Sequence, residues 1–134
     1  MSQENVEIVR RGNELLNRGE WEALARLYGP EVEFCDLRSA VDTPAVLHGS
    51  RAVQSLVAEW TGAWSTVRAE LLDCIDVDPW VICDVRWYGT GRESQVPVDS
   101  RQADAYQLRA GKIIRATLGY ADMAAAKAAL GLEE

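Results

Sequence analysis

Apolar residues recur at helical spacing at the start of the chain. Val6, Val9 and Leu16 share a stripe with Asn13, with Ile8 and Leu15 beside them, which predicts a helix over residues 3–17. Ser2 is available as its N-cap, and Gly19 in "NRGE" breaks it. Trp21, Leu24, Ala25 and Tyr28 predict a short second helix ended by Gly29–Pro30, so the two form an αα-hairpin. "EVEFCDL" then alternates. Val32, Phe34 and Asp36 fall on one face of a strand, an acid beside two core residues. "RSAVDTPAVLHGS" reads as a loop. Ser50 can cap a third helix whose apolar positions are Val53, Leu56, Val57, Trp60 and Trp64.

Beyond Trp64 the period changes to two. "RAELLDCIDV" and the turn "DPW" lead into a strand where Val81, Cys83, Val85 and Trp87 alternate with Ile82, Asp84, Arg86 and Tyr88. "GTGRESQVP" is a Gly-rich turn between strands. Gln102, Asp104, Tyr106 and Leu108 share the next face, and "RAGK" is a hairpin turn. Ile114, Ala116, Leu118 and Tyr120 share a face of the last strand. Asp122 caps an Ala-rich helix that ends at Gly131. Helices first and long antiparallel strands later make an α+β fold, with helices covering one face of a curved sheet.

The 134 residues suit a single domain, and 48% hydrophobic with 26% charged residues is a globular balance. The net charge of −7 repels a phosphate backbone, and no basic patch offsets it, so no nucleic-acid partner is expected. The three cysteines, Cys35, Cys74 and Cys83, form no C-x-x-C and read as small buried hydrophobes in a reducing compartment. One His provides no zinc cluster, so neither metal nor cofactor is expected. The N-terminus lacks the apolar run of about 7–15 residues of a signal peptide. No stretch approaches the ~20 apolar residues of a membrane span. A soluble cytoplasmic protein is expected.

"ENVEIVRRGNELLNRGEWEALARLYGPEVEFCD", "LHGSRAV", "LRAGKIIR" and the closing "AAAKAALGL" together resemble the nuclear transport factor 2-like superfamily, most closely its SnoaL-like branch. The resemblance spans nearly the whole chain. It implies a cone-shaped α+β barrel of a curved, mostly antiparallel sheet under about three N-terminal helices, often a homodimer. Relatives in that superfamily include ketosteroid isomerases, polyketide cyclases, epoxide hydrolase-like enzymes, dehydratases and non-enzymatic binding modules, so function must be argued from the site.

The resemblance implies three candidate catalytic residues. Asp36 matches the isomerases' general base; on the residues alone it reads as an acid closing a strand and opening a turn. Asp104 matches their second acid, a carboxyl kept protonated by an apolar site so that it donates to an oxyanion; on the residues alone it is an acid pairing with Arg86 or Arg101. His48, the only His, precedes the third helix and titrates nearest neutrality; otherwise it is a loop residue before an N-cap. Gly12 stands where the isomerases carry an oxyanion-binding Tyr, leaving Tyr28, Tyr106 or Tyr120 to supply a hydroxyl. Asp84, Arg86 and Asp104 would form an epoxide-hydrolase set only if they share a face. Phe34, Trp60, Trp64, Tyr106, Leu118 and Tyr120, together with Trp87, are candidates to line a pocket for a small apolar or aromatic molecule. Trp80, after a Pro in a turn, is a candidate interface residue. Three functions stay open: isomerase or cyclase chemistry on a carbonyl compound, a binding or dimerisation module without chemistry, and hydration or hydrolysis by an activated water.

Overall fold

The first helix, α1, runs Ser2–Arg18 and buries Val6, Val9, Gly12 and Leu15 along one stripe. The structure, a computed structural model, describes residues 2–37, 46–49, 62 and 64–132. Gly19 ends α1 with a φ of 71°, and the Gly19 and Glu20 amides donate back to the Leu16 and Leu15 carbonyls. The second helix, α2, is shorter than its periodicity predicts, Trp21–Ala25. Tyr28 belongs instead to the first strand, β1, Tyr28–Asp36, which runs through Gly29–Pro30. The reason is tertiary. The Ile113 amide donates to the Leu27 carbonyl at 2.9 Å and captures this backbone as a strand.

Within the expected loop, Val46–His48 form β2, paired antiparallel with β1. The third helix predicted from Ser50, with Trp60, lies outside the described residues. Trp64, its expected end, instead opens β3, Trp64–Val77, opposite Gly91. The remaining elements are β4 (Trp80–Gly91), β5 (Pro97–Arg109), β6 (Lys112–Tyr120) and α3 (Met123–Ala129). Asp122 caps α3 by accepting from the Ala125 amide at 2.8 Å, and Gly131 closes it with a φ of 70°.

The six strands form one mixed sheet in the order β2-β1-β6-β5-β4-β3. Every pair is antiparallel except β1–β6, which is parallel. Among the described residues β2 and β3 are free edges, so the closed cone expected from the resemblance is not formed.

The sheet buries different cores on its two faces. The inner face carries Val32, Phe34, Val81, Cys83, Val85, Ala116 and Leu118 against Val6 and Val9 of α1. The outer face carries Trp80, Ile82, Ala103 and Ala105 under Ala126 of α3. Trp80 is therefore core, not interface, because α3 folds across the turn that bears it. Burying each large aliphatic side chain contributes about 1.5–3 kcal/mol, and Val32, Val81 and Ile82 have no exposed surface at all. Away from α3 the outer face is charged. Arg101 grips Asp84 in a forked pair, and Arg86 does the same with Asp99.

Two register shifts in the β5–β6 ladder rearrange the faces of β6. Ile113 rather than Ile114 reaches the inner core, and Tyr120 turns to the outer face among Trp80, Ile82 and Ala103. α1 is tied to the edge of the sheet by one amide. Asn17 donates to the Ala69 carbonyl and accepts from the Ala69 amide, both at 2.9 Å, as a neighbouring strand would.

Candidate functional site

Asp104 lies in the middle of β5, with Cys83 of β4 and Leu118 of β6 as its partners on either side. It points to the inner face and has no exposed surface. Three neutral donors hold it. Gln102 Nε2 and the Gly119 amide donate to Oδ1 at 2.8 and 3.0 Å, and Trp87 Nε1 donates to Oδ2 at 3.1 Å. The Gly119 bond depends on a bulge. Pairing steps from Asp104–Leu118 to Ala103–Tyr120, so Gly119, at a φ of 100°, drops out of the ladder and turns its N–H to the carboxyl. An isolated Gly inside the strand pattern "TLGYAD" is the sequence signal for that bulge.

No Lys or Arg among the described residues bonds this carboxyl. Arg86 is held by Asp99 and Glu70, and Arg101 by Asp84, all on the outer side. The expected ion pair is absent because the β4 and β5 side chains alternate. Residues 83, 85 and 87 face inward, and Asp84 and Arg86 face outward. The same alternation excludes the Asp84–Arg86–Asp104 set. Burial pushes the Asp104 pKa up to about 6. The bonds from Gln102, Trp87 and Gly119 oppose the rise, and the charge of Asp36 adds to it.

Asp36 ends β1 on the face of Val32 and Phe34 and is half-buried. Its ladder partner is also Leu118. The two acids therefore flank one leucine, with backbones about 10 Å apart across two strand spacings. Tyr106 and Phe34 flank Ala116 in the same way one step along. Tyr28 joins them at the start of β1. Burial, and then the charge of Asp104, raises the pKa of both Tyr28 and Tyr106, so both hydroxyls keep their protons.

The other candidates lie elsewhere. His48 is exposed on β2 opposite Glu33, and Glu33 points away from the Phe34 face. His48 is thus not brought to the acids. Tyr120 has left the inner face through the Gly119 bulge. Trp64 is half-buried at the far edge strand, Trp60 is outside the described residues, and Phe34, Tyr106 and Leu118 surround the acids. A Cβ at Gly12 would meet Leu24 and Leu27 of the neighbouring segment, so that position faces α2. A polar cleft of about 370 Å³ between α1 and β3, lined by Arg10, Glu14, Arg68, Glu70 and Tyr88 among others, contains neither acid.

Two features are not evident from alternation alone: Gln102 as a ligand of Asp104, and one cysteine pair. Cys74 and Cys83 are direct ladder partners. Counting outward from the "DP" turn finds them, since Val77 pairs with Trp80 and Cys74 with Cys83.

Residues 9–116 match the family described as the SnoaL-like domain. No curated protein matches the sequence. Among solved structures, a protein of ketosteroid isomerase-like fold from Catenulispora acidiphila, in complex with trimethylamine, superposes with a TM-score of 0.76 at 16% identity, covering 95% of this chain and 94% of its own. TerC co-crystallised with polyporic acid gives 0.77 at 13% identity, covering 87% and 91%. A candidate SnoaL-like polyketide cyclase from Jannaschia gives 0.77 at 15% identity, covering 87% and 85%. At these identities the likeness is one of fold.

Proposed function

The chain belongs to the SnoaL-like family, and we propose that it binds a small, largely apolar carbonyl compound against the inner face of the sheet and moves a proton on it. One observation carries this: Asp104 is wholly buried yet, among the described residues, held by neutral donors alone, with Asp36 across Leu118 on the same face. An acid in such a wall is costly unless it is used or protonated. Donors among the described residues take three of the lone-pair sites of its carboxyl and leave one on Oδ2 for a proton or a ligand. A group that titrates near 6 exchanges a proton with a ligand at little cost near neutrality.

In this proposal Asp36, at the more open end of β1, removes a proton alpha to the carbonyl. The enolate oxygen is met by protonated Asp104 and by the Tyr28 or Tyr106 hydroxyl. These tyrosines take the part that Gly12 does not supply. Phe34, Leu118 and Trp87 give the ligand an apolar surface. His48, exposed on the other side, has no part in the proton transfer. The relatives crystallised with trimethylamine and with polyporic acid support a small-molecule site in this fold. We also propose a homodimer, to be checked by sedimentation. No described helix is long and apolar enough to cross a membrane.

The test is deuterium uptake. Aromatic and polyketide-like ketones that quench tryptophan fluorescence are incubated with the protein in D₂O and followed by NMR. Uptake alpha to the carbonyl, lost in Asp36→Asn while binding persists, supports the chemistry. Bound ketones that exchange no faster than in buffer overturn it and leave a binding module.

A further inference from the structure

Cys74 and Cys83 face each other across the β3–β4 ladder, with sulfurs 2.7 Å apart, and both are free thiols. The register follows from the turn at Asp78–Pro79, which pairs Val77 with Trp80 and, counting outward, Cys74 with Cys83. Leu71 pairs with Val85 and Asp73 with Asp84, so Leu72 is an extra residue bulged out of β3. The bulge lies beyond the cysteine pair, on the side away from the turn, and leaves its register unchanged. Directly opposed residues of an antiparallel pair have Cα atoms about 4.5–5.5 Å apart. That lies inside the range of about 4.4–6.8 Å that a disulfide spans.

The two sulfurs have unequal surroundings. Cys83 has no exposed surface and is the ladder partner of Asp104. Cys74 is half-buried on the edge strand, packed against the core under α1. The hydrogen bond between the two sulfurs pulls the Cys74 thiol down; burial and the charge of Asp73 oppose this, and nearby Arg10 adds to the lowering. Cys83, sharing that bond from a buried position beside the charge of Asp104, holds its proton more tightly. The reachable sulfur is thus the one that more readily ionises, and the buried one is placed to resolve it.

We propose that Cys74 and Cys83 form a two-cysteine site modified by hydroperoxides, in which Cys74 is oxidised first and Cys83 closes a reversible disulfide. The Cys74 thiolate attacks the peroxide O–O bond and becomes a sulfenic acid, releasing one alcohol or water. The Cys83 thiol then displaces water from that sulfur as the S–S bond forms. Two electrons pass from the sulfur pair to the peroxide. A dithiol reductant reverses the step by exchange. The product would staple the edge strand to the strand beside Asp104, independently of whether the acids perform the proposed proton transfer.

The full chain is treated with one equivalent of hydrogen peroxide, denatured, alkylated and mapped by mass spectrometry. Titratable thiols are expected to fall from three to one, with Cys35 the survivor. A linked peptide pair should carry Cys74 and Cys83 and disappear with dithiothreitol. In Cys83→Ser, a sulfenic acid should persist at Cys74 and be trapped by dimedone. If Cys83→Ser does not fold, Cys74→Ser should leave Cys83 unmodified at the same dose. A link that includes Cys35, a sulfinic acid at Cys74 with Cys83 still free, or no loss of thiols overturns the proposal.

Discussion

Asp104→Asn removes the titration of the buried carboxyl while keeping its shape. The carboxyl is pushed from an ordinary 3.8 up to about 6 in the folded protein, chiefly by burial. The folded state therefore binds this proton more tightly than the unfolded chain does. The resulting stabilisation is complete below about pH 3.8 and is lost as pH rises through about 6. At 1.36 kcal/mol for each tenfold change in acidity, the whole effect is about 3 kcal/mol, most of it between pH 4 and pH 7. The variant has an offsetting cost. Its amide oxygen can accept from Gln102 and Gly119, but its NH₂ then faces the Trp87 N–H. One donor–donor conflict of this kind costs about 1–3 kcal/mol and does not depend on pH. Urea unfolding followed by tryptophan fluorescence at pH 4 to 8 separates the two. Wild type should be the more stable protein at pH 4, and the gap should narrow by about 2–3 kcal/mol by pH 7. A gap that stays constant over that range would show that the carboxylate is not desolvated as described, and the acid–base reading would lose its footing.

Asp36→Asn should lower the Asp104 pKa below about 6, because it removes a like charge, and carboxyl ¹³C NMR reads the shift directly. Gly89→Ala should cost about 3 kcal/mol or more in urea unfolding, since a Cβ there would collide with the Thr66 carbonyl and the β3 backbone. Asn17→Ala should cost about 2–3 kcal/mol by the same assay, because it strands the amide and carbonyl of buried Ala69. Ala110→Gly should raise stability by about 1 kcal/mol, as Ala110 sits at a φ of 52° in the "RAGK" turn.

Much of the fold was legible because the deciding forces are local. The stripe of Val6 and Val9, the breaks at Gly19 and Gly131, the Asp122 cap and the hairpin turns each follow from a few neighbouring residues. Alternation separated Val81, Cys83, Val85 and Trp87 from Asp84 and Arg86, and the fold decided that the first set faces inward. Also readable were the face that Asp104 shares with Tyr106 and Leu108 and the oddity of Asp36 beside Val32 and Phe34. Tyr28 reads as helical because its spacing fits a helix, whereas a bond from β6 makes it a strand.

By itself, then, the sequence determined the order and type of most elements and which acids share an apolar face. Helix periodicity, strand alternation, caps and turn residues act within about ten positions, so they are written locally. Only the tertiary structure decided the register. The bulge at Gly119 turns Tyr120 outward and aims an amide at Asp104, and the bulge at Leu72 puts Leu71 against the inner core. Each is a single extra residue whose effect is felt on a partner strand, and strand pairing is settled by the packing of the whole sheet. The acid was visible in the chain; that neutral donors rather than an arginine hold it was decided by the sheet.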